Sequence, residues 1–323
     1  MPDARKAAYS VRPFKPTNAE YEAVAAINTA LWPETPDDPD DIRRSDSYID
    51  RNLVHGRLIA EYDGEIVAFC RYGQIERHQD PGACFVFVAV HPDRQRQRIA
   101  TALYNRALAI LERGALTCIR THAREDFTGS MCFLAKLGYE TIQREPESHL
   151  DVRNFDPRRF DRGLKGQDRS GVSIRTLREL QKTAPNWRRR CCDLEWELVC
   201  DMPGAEQRTR FVLERYVTVF DQPDFDPDAW FIAVDDDEWV AMSTIWSYSK
   251  TPRTFYTGIT GVCRRYRRRG IATMLKLRVI EHVRNRGGHR IETTNEENNP
   301  MLEINKALGF VEAPAWLLLE KKI

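Results

Sequence analysis

Hydrophobic and polar residues follow strand-like and helix-like patterns in the same order twice along this chain. In the first half, period-two runs predict strands, and apolar residues spaced i, i+3, i+4 predict helices. The predicted strands are 10–13, 57–61, 65–72, 84–90 and 115–121, and the predicted helices are 18–31, 99–112 and 130–136. Asp63-Gly64, between the second and third strands, is typical of a tight hairpin turn.

The second half repeats this order of elements. The predicted strands are 172–175, 230–234, 239–246, 254–263 and 290–295, and the predicted helices are 271–286 and 301–308. Gly138 and Gly309 close the last helix of each half. The repetition predicts a tandem duplication: an N-terminal domain at 1–150, a charged linker without apolar periodicity at 151–171, and a C-terminal domain at 172–323.

Composition narrows the class of protein. A chain of 323 residues, 42% hydrophobic and 30% charged, is long enough to form two globular domains. Its formal charge of +1 provides no overall field toward nucleic acid or an anionic membrane. The apolar runs are only strand-sized and the first ten residues, MPDARKAAYS, have no apolar signal core, so we expect a cytoplasmic protein.

The positions of the cysteines and histidines do not indicate a disulfide framework or a metal site. The eight cysteines form no CxxC pair, and several lie in apolar strand-like runs, so we expect reduced core thiols. The seven histidines show no metal-ligand spacing, and we expect no metal site.

The stretch CRRYRRRGIA, from Cys263 to Ala272, places five arginines between a predicted strand and a predicted helix. The first backbone N–H groups of a helix are unpaired and carry the positive end of its dipole, so this position suits a phosphate. A solvated charge run is the structural alternative, and nucleic-acid binding is a weaker one. The combination of strand, arginines, glycine and helix favours a phosphate site.

At this point the sequence resembles the GNAT superfamily of N-acetyltransferases. The family's acyl-CoA signature corresponds to Arg267-Arg268-Arg269-Gly270-Ile271-Ala272, and a second family element corresponds to 293–310. The resemblance implies an α/β (α+β) fold of two tandem domains, each a mixed, mostly antiparallel sheet flanked by helices. The layout is similar to that of mycothiol synthase, a tandem member of the family.

The same resemblance implies that acetyl-CoA is the acyl donor and CoA the product. Val262 and Cys263 are then expected to hydrogen-bond the pantetheine arm, and the loop 267–272 to hold the pyrophosphate. The asparagine of the second element corresponds to Asn298 or to Asn299, depending on the residue from which it is counted.

Two departures from the family concern catalysis. Asn305 stands where members often have a tyrosine acid, and an amide is not a proton donor of that kind. The strand 254–262 contains no carboxylate and offers Tyr256 where a glutamate base is common, so a water relay is the simplest base. In the N-terminal half, Arg98 replaces the glycine, Leu134 the acid and Phe127 the asparagine, which predicts a degenerate domain beside a catalytic C-terminal one.

The predicted function is transfer of an acetyl group to a primary amine, on a small molecule or a peptide, by direct attack. Glu197 and Asp201, four residues apart on one helix face, are candidates to pair with a cationic amine. No nucleic-acid or membrane partner is expected. The alternative is a non-catalytic acyl-CoA-binding sensor or scaffold module, which the missing acid and base would explain.

Overall fold

The computed structural model describes residues 9–160, 171–202 and 204–323. The chain forms two compact units: unit 1 comprises Met1–Gln143 and Leu317–Ile323, and unit 2 comprises Arg144–Trp316. Within the described ranges, no helix has both the length and the apolar composition needed to cross a membrane.

Unit 1 is a mixed sheet with helices. Its elements in chain order are β1 (Tyr9–Pro13), α1 (Asn18–Leu31), α2 (Pro39–Tyr48), β2 (His55–Tyr62), β3 (Glu65–Gln74), β4 (Ala83–Val90), α3 (Ile99–Leu111), β5 (Cys118–Arg124) and α4 (Thr128–Lys136). The strand order is β1-β2-β3-β4-β5-β12, where β12 (Val311–Lys322) contributes its residues from Leu317 onward. β1 to β4 pair antiparallel, and β4 pairs parallel with β5.

Unit 2 has the same kind of sheet. It begins within β6 (Glu140–Asp151), and its further elements are β7 (Val172–Thr176), α5 (Leu177–Gln181), α6 (Trp187–Val199), α7 (Leu213–Tyr216), β8 (Trp230–Asp235), β9 (Glu238–Ser247), β10 (Thr254–Val262), α8 (Ile271–Asn285), β11 (Arg290–Thr294) and α9 (Pro300–Leu308). The strand order is β12-β6-β11-β10-β9-β8-β7, and only β10 and β11 pair parallel among the registers described. The predicted fold class, mixed and mostly antiparallel sheets flanked by helices, is confirmed.

Two long strands were not predicted from the pattern, β6 and β12. β6 reads ETIQREPESHLD, and its buried positions include Pro146 and Ser148 as well as Leu150, so polar residues interrupt the apolar alternation. From Arg144 onward β6 belongs to unit 2, where its residues 147–151 pair antiparallel with β11. Residues from the segment expected to belong to the N-terminal domain therefore form part of unit 2.

The expected linker at 151–171 begins at the last residue of β6. Val152 follows it and is fully buried in the core of unit 2, and Phe155 and Phe160 pack against that core. Residues 161–170 lie outside the described residues. The domain limits at 150 and 172 stay a prediction, because the compact units follow strand pairing rather than chain order.

α8 packs on the core of unit 2 through an apolar face and also buries a lysine there. Leu275, Val279 and Val283 are fully buried on this helix, and so is Lys276, at 1% exposure. The Lys276 Nζ has no hydrogen-bond partner among the described residues and lies 5.7 Å from the centre of the Phe310 ring. Burial lowers the pKa of Lys276 to about 7, since the charged form loses its hydration.

Candidate functional site

The central strands of unit 2 separate soon after they pair. β10 pairs with β11 only over Thr254–Tyr256 and Arg290–Glu292, although β10 continues to Val262. The register of β10 against β9 shifts between Thr257 and Thr260, which is a bulge. From Thr257 onward, the edge of β10 that faces β11 is therefore not paired with that strand in the described register. An extended ligand can lie along this edge of β10.

Gly258 makes the bulge sterically possible. A Cβ added there would lie 2.2 Å from the Thr244 Oγ1 atom, much closer than real side chains approach. The same Thr244 Oγ1 accepts a hydrogen bond from the Ile259 backbone N–H at 3.1 Å. The bulge is thus held by a specific contact that no larger residue at 258 would allow.

The loop from β10 to α8 has the geometry of an anion site. Cys263 leads into a 3-10 turn, Arg264–Tyr266, and the chain enters α8 at Gly270, whose φ of 78° is left-handed. Gly270, the N-cap residue of α8, has no side chain with which to cap the helix. The first N–H groups of this long helix are therefore available to a phosphate that approaches the loop.

Several of the five arginines anchor the loop. Arg264 pairs with Asp201 at 2.5 Å, and Arg267 pairs with the same carboxylate while its Nε donates to the Val262 carbonyl at 3.0 Å. Arg265 pairs with Glu238. The charge run thus holds its own loop in place, in addition to the positive potential that it provides at the entrance to α8.

Glu197 and Asp201 do not form one anionic patch. Asp201 is paired with the two loop arginines and its side chain is only 10% exposed. Glu197 instead accepts a hydrogen bond from the Cys263 thiol. Burial, and after it the Glu197 hydrogen bond and charge, raises the pKa of Cys263 to about 12, so this thiol stays protonated near neutral pH. Contact of either carboxylate with an acceptor amine stays a prediction.

Asn305 carries an unsatisfied buried acceptor. The residue is 0% exposed, and its Nδ2 donates to the Asn295 Oδ1 at 2.7 Å. Its Oδ1 has no hydrogen-bond partner among the described residues. A buried oxygen left unpaired costs roughly 1–3 kcal/mol, so a donor from a bound ligand would recover that free energy.

The two candidate asparagines of the second element have different surroundings. Asn299 caps α9, since its Oδ1 accepts from the Met301 backbone N–H at 3.0 Å. Asn298 is exposed and bonds Glu296 through both its backbone and its side chain. The cap occupies the Asn299 side chain, whereas Asn298 lies in the loop before α9.

A polar pocket of about 190 Å³ lies beside Tyr256. Tyr256 pairs with Glu292, and Glu292 pairs with His149 of β6, so these three side chains share one face across three strands. Glu147, Tyr248 and Arg290 also line the pocket. The sequence analysis did not predict four of the residues that line this pocket: Glu147, His149, Tyr248 and Glu292. The alternation of β11 puts Glu292 on the same face as the pocket, but no sequence pattern indicates that β6 lies next to β11.

The carboxylates of the pocket are held by neighbouring side chains. Glu292 accepts from Arg290 Nε at 2.7 Å and from the Tyr248 hydroxyl at 3.2 Å. Burial, and after it the Glu292 charge, raises the pKa of Tyr248, so the phenol remains a donor. Glu147 accepts from Trp316 Nε1 at 2.7 Å. This arrangement fixes the direction of both carboxylates.

Unit 1 repeats the separated strands but differs at the loop. β4 pairs with β5 only over Ala83–Phe85 and Cys118–Arg120. Arg98 takes the glycine position before α3 with a left-handed φ of 63°, which is strained for a residue with a side chain. Phe127 stacks on Trp32, with ring centres 6.1 Å apart, and Leu134 is buried in the core.

Comparison with known proteins identifies the family. The model of the family described as "Acetyltransferase (GNAT) family" matches residues 21–139 and again residues 193–310, which together cover more than half of the chain. The chain therefore belongs to the GNAT family of acetyltransferases, and the double match confirms the tandem layout. Proteins of this family use acetyl-CoA.

Solved structures share the fold over nearly the whole chain. A tandem GNAT protein from the clavulanic acid biosynthesis pathway is 20% identical, with a TM-score of 0.76 and coverage of 97% of this chain and 98% of its own. A GCN5-related N-acetyltransferase from Sphaerobacter thermophilus is 18% identical, with a TM-score of 0.71 and coverage of 98% and 96%. No curated protein matches the sequence significantly. Likeness at this level of identity concerns the fold alone.

The residues of unit 2 fit an acyl-CoA. The unpaired edge of β10, the uncapped N-terminus of α8 behind Gly270, and the unsatisfied Asn305 Oδ1 are three places that lack partners such a group would supply. Among the described residues, no cluster of three or more histidine, cysteine, aspartate or glutamate side chains is arranged to hold a metal ion.

Proposed function

We propose that unit 2 transfers an acetyl group from acetyl-CoA to a primary amine by direct attack. The observation that carries the proposal is the β10–α8 loop, where a left-handed Gly270 leads into an uncapped helix next to the unpaired edge of β10. Acetyl-CoA supplies an activated thioester when it is bound. The proposed location of the protein is the cytoplasm.

The expected cofactor contacts follow the loop. The backbone from Arg267 through Gly270 to Ala272, with the side chains of Arg268 and Arg269, would hold the pyrophosphate, because the helix N-terminus supplies unpaired N–H groups. Val262 and Cys263 would lie along the pantetheine arm; the Cys263 backbone N–H itself donates to the Val240 carbonyl, and the Val262 carbonyl accepts from Arg267 Nε. Asn298 lies in the loop before α9. The Asn305 Oδ1, which has no partner among the described residues, would accept a hydrogen bond from the cofactor's amide or from the thiol product.

Direct attack is favoured over a cysteine intermediate. Cys263 is buried and its pKa is raised to about 12, so almost none of it is thiolate near neutral pH. The amine nitrogen therefore forms the new bond to the acetyl carbon as the carbon–sulfur bond breaks. The proton lost by the amine goes to water, and the departing thiolate takes a proton from water.

Tyr256 is proposed to order that water. The Tyr256 side chain lines the pocket beside Glu292. The neighbouring Phe255 points to the opposite face of the sheet, where it belongs to the hydrophobic core of unit 2. The ring of Tyr248 lies 4.8 Å from that of Tyr256 and limits its movement. A hydroxyl held in this way can orient a water molecule without itself taking the proton.

A non-catalytic acyl-CoA sensor is the second candidate. It is favoured by Asn305, whose amide nitrogen is engaged with Asn295 and which offers no proton to a leaving thiolate. In unit 1, Arg98, Phe127 and Leu134 support a structural role for that half. Both candidates predict that unit 2 binds acetyl-CoA.

Turnover separates the two candidates. Purified protein is mixed with acetyl-CoA and a panel of primary amines, and the release of free thiol is followed with a thiol reagent. Thiol release that depends on the amine supports the transferase. Calorimetric binding of acetyl-CoA without thiol release for any amine supports the sensor.

A further inference from the structure

Two arginines of unit 1 lie side by side where its central strands separate. The register of β3 pairs Arg71 with Arg57 of β2 on one side and with Phe87 of β4 on the other. Directly opposite residues point to the same face, with Cβ atoms about 4.5–5.5 Å apart. Phe85 is on this face too, two residues before Phe87, and it is the last residue of β4 in the described pairing with β5. In unit 2 the equivalent position is that of Tyr256.

The two arginines differ in their partners. Arg57 donates through both Nη atoms to Asp46, at 2.8 and 3.1 Å, and Asp46 also accepts from the Tyr21 hydroxyl. Arg71 has no ion pair and no side-chain hydrogen bond among the described residues, and its guanidinium lies 5.1 Å from the centre of the Phe85 ring. The arginines that follow on this face of β5 have carboxylates of their own: Arg120 pairs with Glu320, and Arg124 with Asp126 and Glu34.

The positive charge of Arg71 is therefore not balanced locally. The charged groups that act on it are Arg57 and Asp46, so two positive charges stand against one negative charge. Burial, and after it the charge of Arg57, lowers the pKa of Arg71, whereas the charge of Asp46 raises it. Arg71 nevertheless reaches solvent. A cation that loses hydration while it stays accessible lies in a recess, where an anion would stabilise it.

Arg57 supplies a second indication of a ligand. Its side chain is only 6% exposed, and its Nε atom is buried without a hydrogen-bond partner in the part of the chain that the structure describes. A buried N–H that is left unpaired is unfavourable, and an oxygen acceptor would satisfy it. Because a guanidinium only donates, the ligand must bring the acceptor atoms to both arginines.

Aromatic rings next to the arginines indicate the body of the ligand. The ring of Phe87, which is opposite Arg71, has the ring of Trp32 with its centre 6.2 Å away. Phe85, Phe87 and Trp32 are all partly exposed. One net positive charge matches a carboxylate, which a guanidinium binds through two parallel hydrogen bonds. A phosphate dianion would leave an excess of negative charge.

We propose that unit 1 binds a small aromatic carboxylate at this face, with the carboxylate held by Arg71 and the ring against Phe87 and Trp32. The inference gives unit 1 a binding role of its own. It goes beyond the proposed acetyl transfer in unit 2 and does not depend on it.

Three small molecules separate the charge from the ring: benzoate, benzyl alcohol and acetate. Each is titrated into the full-length protein saturated with CoA, and binding is followed by ligand-observed NMR. One charged hydrogen bond corresponds to roughly a tenfold or greater change in affinity, so benzoate should bind at least about tenfold more tightly than benzyl alcohol. Acetate should bind more weakly than benzoate, because it has no ring. Added salt should weaken benzoate binding, since the site is open to solvent.

Arg71→Met isolates the guanidinium. Methionine keeps an unbranched apolar side chain beside Phe85 and removes the charge. This variant should bind benzoate at least about tenfold more weakly and benzyl alcohol about as well as before. Arg94→Met is the matched control, because the Arg94 guanidinium also lies over a ring of unit 1, 4.4 Å from the centre of Tyr62, but belongs to the turn after β4.

Equal affinities for benzoate and benzyl alcohol, or a benzoate preference that survives Arg71→Met, would overturn the proposal. It would also be overturned if the wild type did not bind benzoate, if acetate bound as tightly as benzoate, or if Arg94→Met lost as much benzoate affinity as Arg71→Met. Thiol release from acetyl-CoA tests the proposed transfer separately. Benzoate binding without thiol release for any amine refutes acetyl transfer alone, and thiol release without benzoate binding refutes the carboxylate site alone.

Discussion

Gly270→Arg is the substitution that most directly disturbs the proposed pyrophosphate site. Gly270 immediately precedes α8 with a left-handed φ of 78°, and Arg98 occupies the equivalent position before α3 at a φ of 63°. The fold therefore accepts an arginine in this conformation, at a backbone cost of roughly 1–2 kcal/mol. The new side chain would stand where a phosphate approaches the backbone.

The expected loss of affinity is large compared with that backbone cost. A phosphate at an uncapped helix accepts several charge-assisted hydrogen bonds, each worth about 1.5–3 kcal/mol. If two of them are lost, acetyl-CoA binding weakens by about 3 kcal/mol or more, which is roughly 100-fold or more.

Isothermal calorimetry with acetyl-CoA measures the effect, and Gly287→Arg is the matched control. Gly287 lies just beyond the other end of the same helix, has a φ of 70°, and has nothing within 4 Å of an added Cβ. It therefore experiences the same change of residue and a similar backbone strain, away from the loop. Unchanged affinity in a folded Gly270→Arg protein, or an equal loss in Gly287→Arg, would show that the loop does not hold the cofactor.

The remaining predictions concern unit 1, catalysis and stability. Arg98→Gly should leave turnover nearly unchanged, because Leu134 still occupies the acid position; a large gain in rate would show that unit 1 is a disabled enzyme. Asn305→Ala should lower kcat about tenfold or less, the value of one neutral hydrogen bond, and a greater loss would contradict a passive role. Tyr256→Phe should lower kcat with little change in the KM for acetyl-CoA, whereas an unchanged kcat would mean that Tyr256 only packs. Lys276→Met should unfold at higher urea than wild type at pH 7. The pKa of Lys276 is about 7 in the folded state and 10.5 in the unfolded state, so the wild type gains stability as the pH rises between these values. The difference in urea midpoint between the variant and the wild type should therefore shrink over this pH range. A difference that stays constant would contradict a buried neutral lysine.

The cofactor loop could be predicted from the sequence because its determinants are local. An apolar run that ends at Val262, an arginine-rich turn and a glycine before a helical pattern are all contiguous. Backbone geometry follows directly from such a sequence: Gly270 takes the left-handed conformation that only glycine adopts easily. The ion pairs of Arg264 and Arg267 with Asp201 depend on a contact across more than sixty residues of chain, and no local pattern indicates them.

The polar pocket beside Tyr256 was not predicted, for the same reason. Glu292 is one polar position in a short strand, and it acquires a role only when Tyr256 lies on one side and His149 on the other. β6 lacks a clear apolar alternation, because Pro146 and Ser148 stand with Leu150 at its buried positions. Its placement next to β11 depends on long-range pairing, which the spacing of residues in β6 does not encode.

The most direct test of the account is to measure both products of the reaction together. Wild-type protein, Gly270→Arg and Gly287→Arg are incubated with acetyl-CoA and a primary amine, and free CoA and acetylated amine are quantified by mass spectrometry. With acetyl-CoA kept below the concentration that saturates the wild type, the account predicts equimolar CoA and acetylated amine with the wild type and with Gly287→Arg, and roughly 100-fold less of both products with Gly270→Arg. Release of CoA without acetylated amine, or full product formation by Gly270→Arg, would contradict acetyl transfer at the β10–α8 loop.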